Sequence, residues 1–137
     1  MRSPRPAPPA VEPALARRCG ATDAALGAVA ARLAAEHARG AAELDTARVS
    51  FELRVAGAPY AWPRVFTLTG AALDASAAAP PLERWLAGFD DGGARRCGLG
   101  RATDAGGTTH LVAVVADVLA DFAPLPVRTR AGAWLRL

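Results

Sequence analysis

Two cysteines, two histidines and a scatter of aspartates are the residues of this 137-residue chain whose chemistry goes beyond packing. Cys19 and Cys97 read in either of two ways. In an oxidising compartment they form a disulfide that ties the start of the first helix to a strand. Otherwise they are separate buried thiols acting as small hydrophobes. With His37 and His110 they do not make a zinc site, because no two have the spacing of a C-x2-C or H-x3-H pair. No metal ligand and no cofactor is assigned. His37 ends a helical stripe, where the helix dipole favours a histidine. His110 enters an apolar strand, either as a hydrogen-bonded strand histidine or as a general base working with a loop aspartate. Nucleophiles are poor: beyond the first residues the serines are Ser50 and Ser76, and neither sits in G-x-S-x-G. Gly98-Leu99-Gly100 lacks a third glycine and leads into a turn and a strand, so it is no phosphate-binding loop. Asp90-Asp91 reads as a solvated loop pair. Asp117 and Asp121, flanking Val118-Leu119-Ala120, read as the strand's exit to solvent. Trp62, Trp85 and Trp134 read as core anchors. Tyr60 and Trp62, on a proline-flanked corner, alternatively line a ligand groove with His110. No catalytic residue is assigned.

Those residues need a scaffold, and the composition supplies one. Apolar residues are 52% of the chain, enough for one hydrophobic core. About a quarter of the residues are alanine, and Lys, Asn, Gln and Ile are absent, as in a protein from a GC-rich bacterial genome. The net charge is +3. Its arginines are dispersed among acids without a basic stripe or an aromatic platform, which argues against nucleic acid as a partner. The longest apolar run, Leu111 to Ala116, is of strand length, so no membrane span is expected.

Residues 1 to 12 hold four prolines and read as a disordered or polyproline leader. A short helical turn covers Pro13 to Arg18. The next helix runs from Thr22 to Arg39, with Thr22 or Asp23 as N-cap, Gly40 beyond its end, and Leu26, Val29, Ala30, Leu33 and His37 on one stripe. Residues 45 to 57 conflict: Val49, Phe51, Leu53 and Val55 alternate like a strand, while Asp45 and Gly57 frame a helix. At Trp62 the following proline holds the backbone extended. Val65 to Thr69 is a strand, and Pro80-Pro81 opens a helix over Leu82 to Phe89. A hairpin closes the domain, with arms at Arg95 to Ala102 and Thr108 to Asp117 and a turn containing Asp104 and Gly106-Gly107. Gly98 and Gly100 fall on one side of its first arm, which marks close approach of another backbone, such as a helix lying on that face.

Three segments together resemble the CAP superfamily of cysteine-rich secretory, antigen 5 and pathogenesis-related 1 proteins. Ala24 to Ala38 is similar to the family's alanine-rich first helix. Leu82-Glu83-Arg84-Trp85-Leu86 resembles its Trp-bearing helix. Cys97-Gly98-Leu99-Gly100-Arg101-Ala102 with Leu111-Val112-Ala113-Val114-Val115 resembles its closing hairpin. The likeness covers residues 20 to 118 and implies an α/β fold: an α-β-α sandwich with a small, mostly antiparallel sheet and helices on both faces. It also implies that residues 45 to 57 are helical. The family gathers two His and two Glu in a cleft, some members binding a divalent metal there. The corresponding positions here fall at Glu43 to Thr46, at Pro63-Arg64-Val65, at Ala87-Gly88-Phe89 and at Asp90 to Arg95, and all four sets of cleft residues are missing.

The expectation is a leader or linker at 1–19, a CAP-like domain at 20–122, and at 123–137 a linker and the start of a possible further β domain beyond Leu137. The expected function is a non-catalytic binding or structural module for a protein, glycan or lipid ligand. The expected location is secreted, periplasmic or envelope-anchored, with the signal trimmed. The alternatives are a small hydrolase or metal-dependent enzyme using His110 and a loop aspartate, and a cytoplasmic interaction domain.

Overall fold

The structure, a computed structural model, describes residues 13–41, 43–58, 60, 62–71, 73–89, 94–118 and 131–132. The proline-rich leader, Asp90-Asp91, Asp121, Trp134 and nearly all of the proposed start of a further domain lie outside the described residues.

Helix α1 (Pro13–Cys19) leads into the two-residue strand β1 (Ala21–Thr22), and α2 (Ala24–Ala38) follows. Next come α3 (Thr46–Val55), β2 (Arg64–Gly70), α4 (Ala75–Ala87), β3 (Ala94–Thr103) and β4 (Thr109–Val118). The sheet order is β1-β3-β4-β2, with β1 parallel to β3 and the other pairs antiparallel. The fold is α/β with helices on both faces, as expected. On one face Leu26, Val29, Ala30 and Leu33 of α2 and Val49 and Leu53 of α3 pack on Val112, Val114 and Ala116 of β4. On the other, Leu15 and Cys19 of α1 and Ala78, Leu82 and Leu86 of α4 pack on Cys97, Leu99, Leu111, Ala113 and Val115. The run from Leu111 to Ala116 is buried throughout because both faces of β4 are covered.

The glycines of β3 set the spacing of the first layer. A Cβ at Gly98 would stand 2.1 Å from the Leu26 carbonyl carbon, and one at Gly100 2.3 Å from that of Ala30. Helix backbone lies directly on strand backbone, as the paired glycines predict. Asp23 caps α2, its carboxylate accepting from the Leu26 N–H at 3.0 Å.

Helix α1 belongs to the packed fold: Leu15 and Cys19 are each 1% exposed. Cys19 and Cys97 form a disulfide across 78 positions, with Cα atoms 5.7 Å apart, as the export reading predicts. Residues 46–55 are helical. Val49, Glu52 and Leu53 are buried at helical spacing, whereas Phe51 and Val55 of the apparent alternation are 55% and 46% exposed.

Two local expectations are corrected. Helix α4 begins at Ala75, not at Leu82, because Asp74 caps it by accepting from the Ala77 N–H at 2.8 Å. Pro80 and Pro81 therefore lie inside the helix, where each withholds an amide donor. Trp62 is not extended: its φ is +56°, in the left-handed region. Pro63 beside it is buried and Trp62 is 86% exposed, so this tryptophan is no core anchor.

Replacing Gly98 or Gly100 with alanine is expected to destabilise by at least about 1–3 kcal/mol, the usual cost of overpacking. Gly27, in helix α2 and with open space around its Cβ direction, gives the opposite sign: Gly27→Ala should stabilise by about 0.5–1 kcal/mol. Urea unfolding of the three variants checks both. Reducing the disulfide should cost about 4–5 kcal/mol in the chain-entropy account, read as a lower unfolding midpoint in reductant.

Candidate functional site

The described polar chemistry gathers at the two ends of the sheet. Residues of β2 and β4 pair from Arg64 opposite Val115 to Thr69 opposite His110, a span of about 17 Å.

At the His110 end, the hairpin turn fixes Asp104. Its Oδ1 accepts from the Gly106 and Thr108 N–H groups at 2.9 and 3.0 Å. This leaves Oδ2 to face the His110 ring, 2.9 Å from Nε2. His110 is 9% exposed and faces the α2 layer, as Val112 and Val114 do. Its Nδ1 lies 2.8 Å from Nδ1 of His37, in the last turn of α2. The two rings meet edge to face, their planes 69° apart. With neutral imidazoles the proton positions follow from the acceptors. A carboxylate can only accept, so His110 carries its proton on Nε2; its Nδ1 then accepts, and His37 donates from Nδ1. The hydrogen bond from His110, followed by that from the Thr108 N–H, holds the Asp104 carboxyl below the usual carboxylate range.

At the other end, a cleft of about 410 Å³ is lined by Glu43, Leu44, Asp45 and Thr46, by Arg64 and Val65, and by Trp85 and Phe89. The Arg64 guanidinium lies 4.2 Å from the centre of the Phe89 ring and is ion-paired with Asp117. Trp85 packs between Phe66 and Phe89, with ring centres 5.3 and 4.9 Å away. Near this end, Tyr60 donates to Asp23 at 2.5 Å, and Arg96 approaches the same carboxylate at 3.6 Å. Burial opposes ionisation of Asp23. The bonds from Tyr60 and from the Leu26 and Ala25 N–H groups, with the Arg96 charge, outweigh it and hold the carboxyl low. Burial, then the bond to Asp23, pushes the Tyr60 hydroxyl up. A larger cleft of about 560 Å³ opens between α1 and the start of α4, beside the Arg18–Glu83 ion pair, and contains none of the candidate residues.

The proposed groove of Tyr60, Trp62 and His110 is not assembled. Tyr60 is tied to the N-terminal end of α2, His110 meets its C-terminal end, and Trp62 projects into solvent. The pairing of His110 with a loop aspartate is realised through Asp104. The contact with His37 was not foreseen, although two sequence signals pointed to it. His37 completes the buried stripe of α2, and His110 lies on the same face of β4 as Val112 and Val114. Also unforeseen is Glu52, a carboxylate only 4% exposed, which receives Arg32 at 2.7 Å and Arg48 at 2.9 Å. It joins α2 to α3. Among the described residues no group of three or more His, Cys, Asp or Glu is placed to hold a metal ion.

Comparison with known proteins gives no matching family model, no matching curated protein and no matching solved structure.

The acid sensitivity follows from the depressed carboxyls. In the fold Asp104 titrates below its unfolded value, so at low pH the unfolded chain binds more protons. Its contribution is complete above the ordinary carboxylate range and is lost as pH falls through the folded pKa. Asp104→Asn should therefore be less stable than the parent at pH 5. The gap should close as pH falls through the lowered folded pKa of Asp104, below which the parent's carboxyl is also neutral; urea midpoints from pH 5 downward check it.

Proposed function

We propose that this chain is an exported binding or structural module of the CAP type whose cleft holds a ligand without the family's metal chemistry. The observation that carries the reading is a convergence. Three separate segments that the resemblance assigns to the family cleft, at 43–46, 63–65 and 87–89, all contribute to the lining of the 410 Å³ cleft. The layered α/β fold and the glycine-marked contact of α2 with β3 also support it. The Cys19–Cys97 disulfide supports export, since such bonds persist in oxidising compartments. Among the described residues no helix is long and apolar enough to cross a membrane.

In the cleft, Arg64 occupies a position where the family has a ligating acid. It is held by Phe89 and Asp117, a cation capping an aromatic ring. Aromatic faces beside the rim groups Glu43, Asp45 and Arg64 suit a glycan, which stacks on rings and hydrogen-bonds at the edge. Lipid and protein ligands are the other classes.

A second reading, a small hydrolase using His110 with a loop aspartate, is favoured by the 2.9 Å contact of His110 with Asp104.

Titration with a tetrasaccharide of N-acetylglucosamine, followed by NMR, tests the binding reading. Shifts should concentrate at residues 43–46, 64, 85 and 89, the sugar should be recovered intact, and Arg64→Ala should weaken binding by about tenfold, the loss of one charged contact. Anionic phospholipid vesicles form the second arm. If neither probe perturbs the cleft, or if the sugar is cleaved, the reading is overturned.

A further inference from the structure

The end of the sheet away from the cleft carries chemistry that the binding reading does not use. We propose that Asp104, His110 and His37 form a relay that presents the outer ring nitrogen of His37 as a nucleophile for activated acyl compounds. The inference stands on the geometry of these three residues and is independent of the cleft.

Each link constrains the next. Asp104 is itself fixed, because its Oδ1 is committed to the turn amides. Its Oδ2 requires a donor, so the His110 proton sits on Nε2. His110 is thereby left with a lone pair on Nδ1, 2.8 Å from Nδ1 of His37. His37 fills that contact with its own Nδ1–H, and its remaining lone pair is on Nε2. Both nitrogens of His110 are engaged inside the protein, so His110 is not the group that meets a reactant. His37 is only half-buried, and its Nε2 has no hydrogen-bond partner among the described residues and is not sealed from solvent. The order is that of an activated nucleophile: a reactive atom, a base within hydrogen-bond reach, and a third group that orients the base. His37 is the nucleophile; His110 and Asp104 are positioning residues.

The step balances. The Nε2 lone pair attacks the acyl carbon of an ester with a good leaving group, and the carbon–oxygen bond breaks with its electrons leaving on oxygen. The acylated ring gives up its Nδ1 proton to Nδ1 of His110, whose cation is paired with Asp104. Water then adds to the acyl carbon, its second proton passing to the departed oxyanion. The carbon–nitrogen bond breaks as the proton returns from His110 to Nδ1 of His37, releasing the carboxylic acid and restoring the starting ring.

Two measurements on the intact chain test this. The imidazole nitrogen NMR signals of the parent protein at neutral pH should show His37 protonated on Nδ1 and His110 on Nε2. Diethyl pyrocarbonate, an activated acyl donor, should then modify His37 at least about tenfold faster than N-acetylhistidine, a modest share of what a positioned base supplies. The chain has two histidines, so peptide masses assign the site directly. Asp104→Asn keeps an Oδ1 for the turn amides but turns the contact with His110 into a donor. Both rings should flip tautomer, His37 Nε2 should become the protonated nitrogen, and the rate should fall to that of N-acetylhistidine or below. A His37 found protonated on Nε2 in the parent, a parent rate no higher than the model compound, or an Asp104→Asn rate equal to the parent's overturns the proposal. A purely structural role for Asp104 would leave the tautomers in place.

Discussion

The contact on which the rest of this structure depends is the seating of α2 on the bare backbone of β3. Gly98 and Gly100 present no side chain, and carbonyl carbons of the helix occupy the space two Cβ atoms would need. A glycine within a strand weakens it by leaving backbone entropy high and nothing to pack. That cost is offset here because the helix backbone itself becomes the packing partner. The opposite side of the same strand is also fixed, since Cys97, the residue before Gly98, carries the disulfide to α1. Strand β3 is held by backbone contact on one face and by a covalent bond on the other.

This seating also aligns the helix. With Asp23 hydrogen-bonded at its N–H to the Cys97 carbonyl and Gly100 beneath Ala30, α2 runs alongside β3 in the same direction. Its fourteen steps from Asp23 to His37 cover about 21 Å, close to the about 20 Å of strand between Cys97 and Thr103. The N-cap carboxylate consequently meets Tyr60 and Arg96 at one end of the sheet, and the last turn delivers His37 to the hairpin turn at the other.

Much of this was legible in the sequence because it obeys short periods. Glycines two apart mark one face of a strand, and Leu26, Val29, Ala30 and Leu33 mark one face of a helix. The local pattern left the choice open where two periods fitted the same residues, and the helix that the resemblance implies is the one that forms. Over 46–55 the alternating Val49, Phe51, Leu53 and Val55 argue for a strand, but the caps win. The decisive core position is a carboxylate, Glu52, buried only because Arg32 and Arg48 reach it from two helices. A buried glutamate with remote partners is invisible to any hydrophobic pattern. Likewise Asp74 starts α4 a turn and a half before the prolines that advertise a helix start, and Trp62 adopts a positive φ that local rules do not assign to a residue before proline. The two histidines were visible as members of the right faces. Their meeting depends on where the helix ends relative to the hairpin, which is a property of the assembled layers.

Packing alone does not account for His110. Its neighbours on the same face, Val112 and Val114, are aliphatic, and an aliphatic residue would continue that surface without burying polar atoms. Burying an imidazole costs free energy unless both nitrogens are hydrogen-bonded, and here both are, one to Asp104 and one to His37. The second of those bonds exists only while α2 stays in contact with β3. A Cβ at Gly100 would lift the helix, and an upward shift of even one ångström would stretch the 2.8 Å contact beyond hydrogen-bonding range. The glycines that allow two backbones to touch are therefore also what hold one histidine against the other, so the packing constraint and the chemistry at the end of the sheet are one geometric condition.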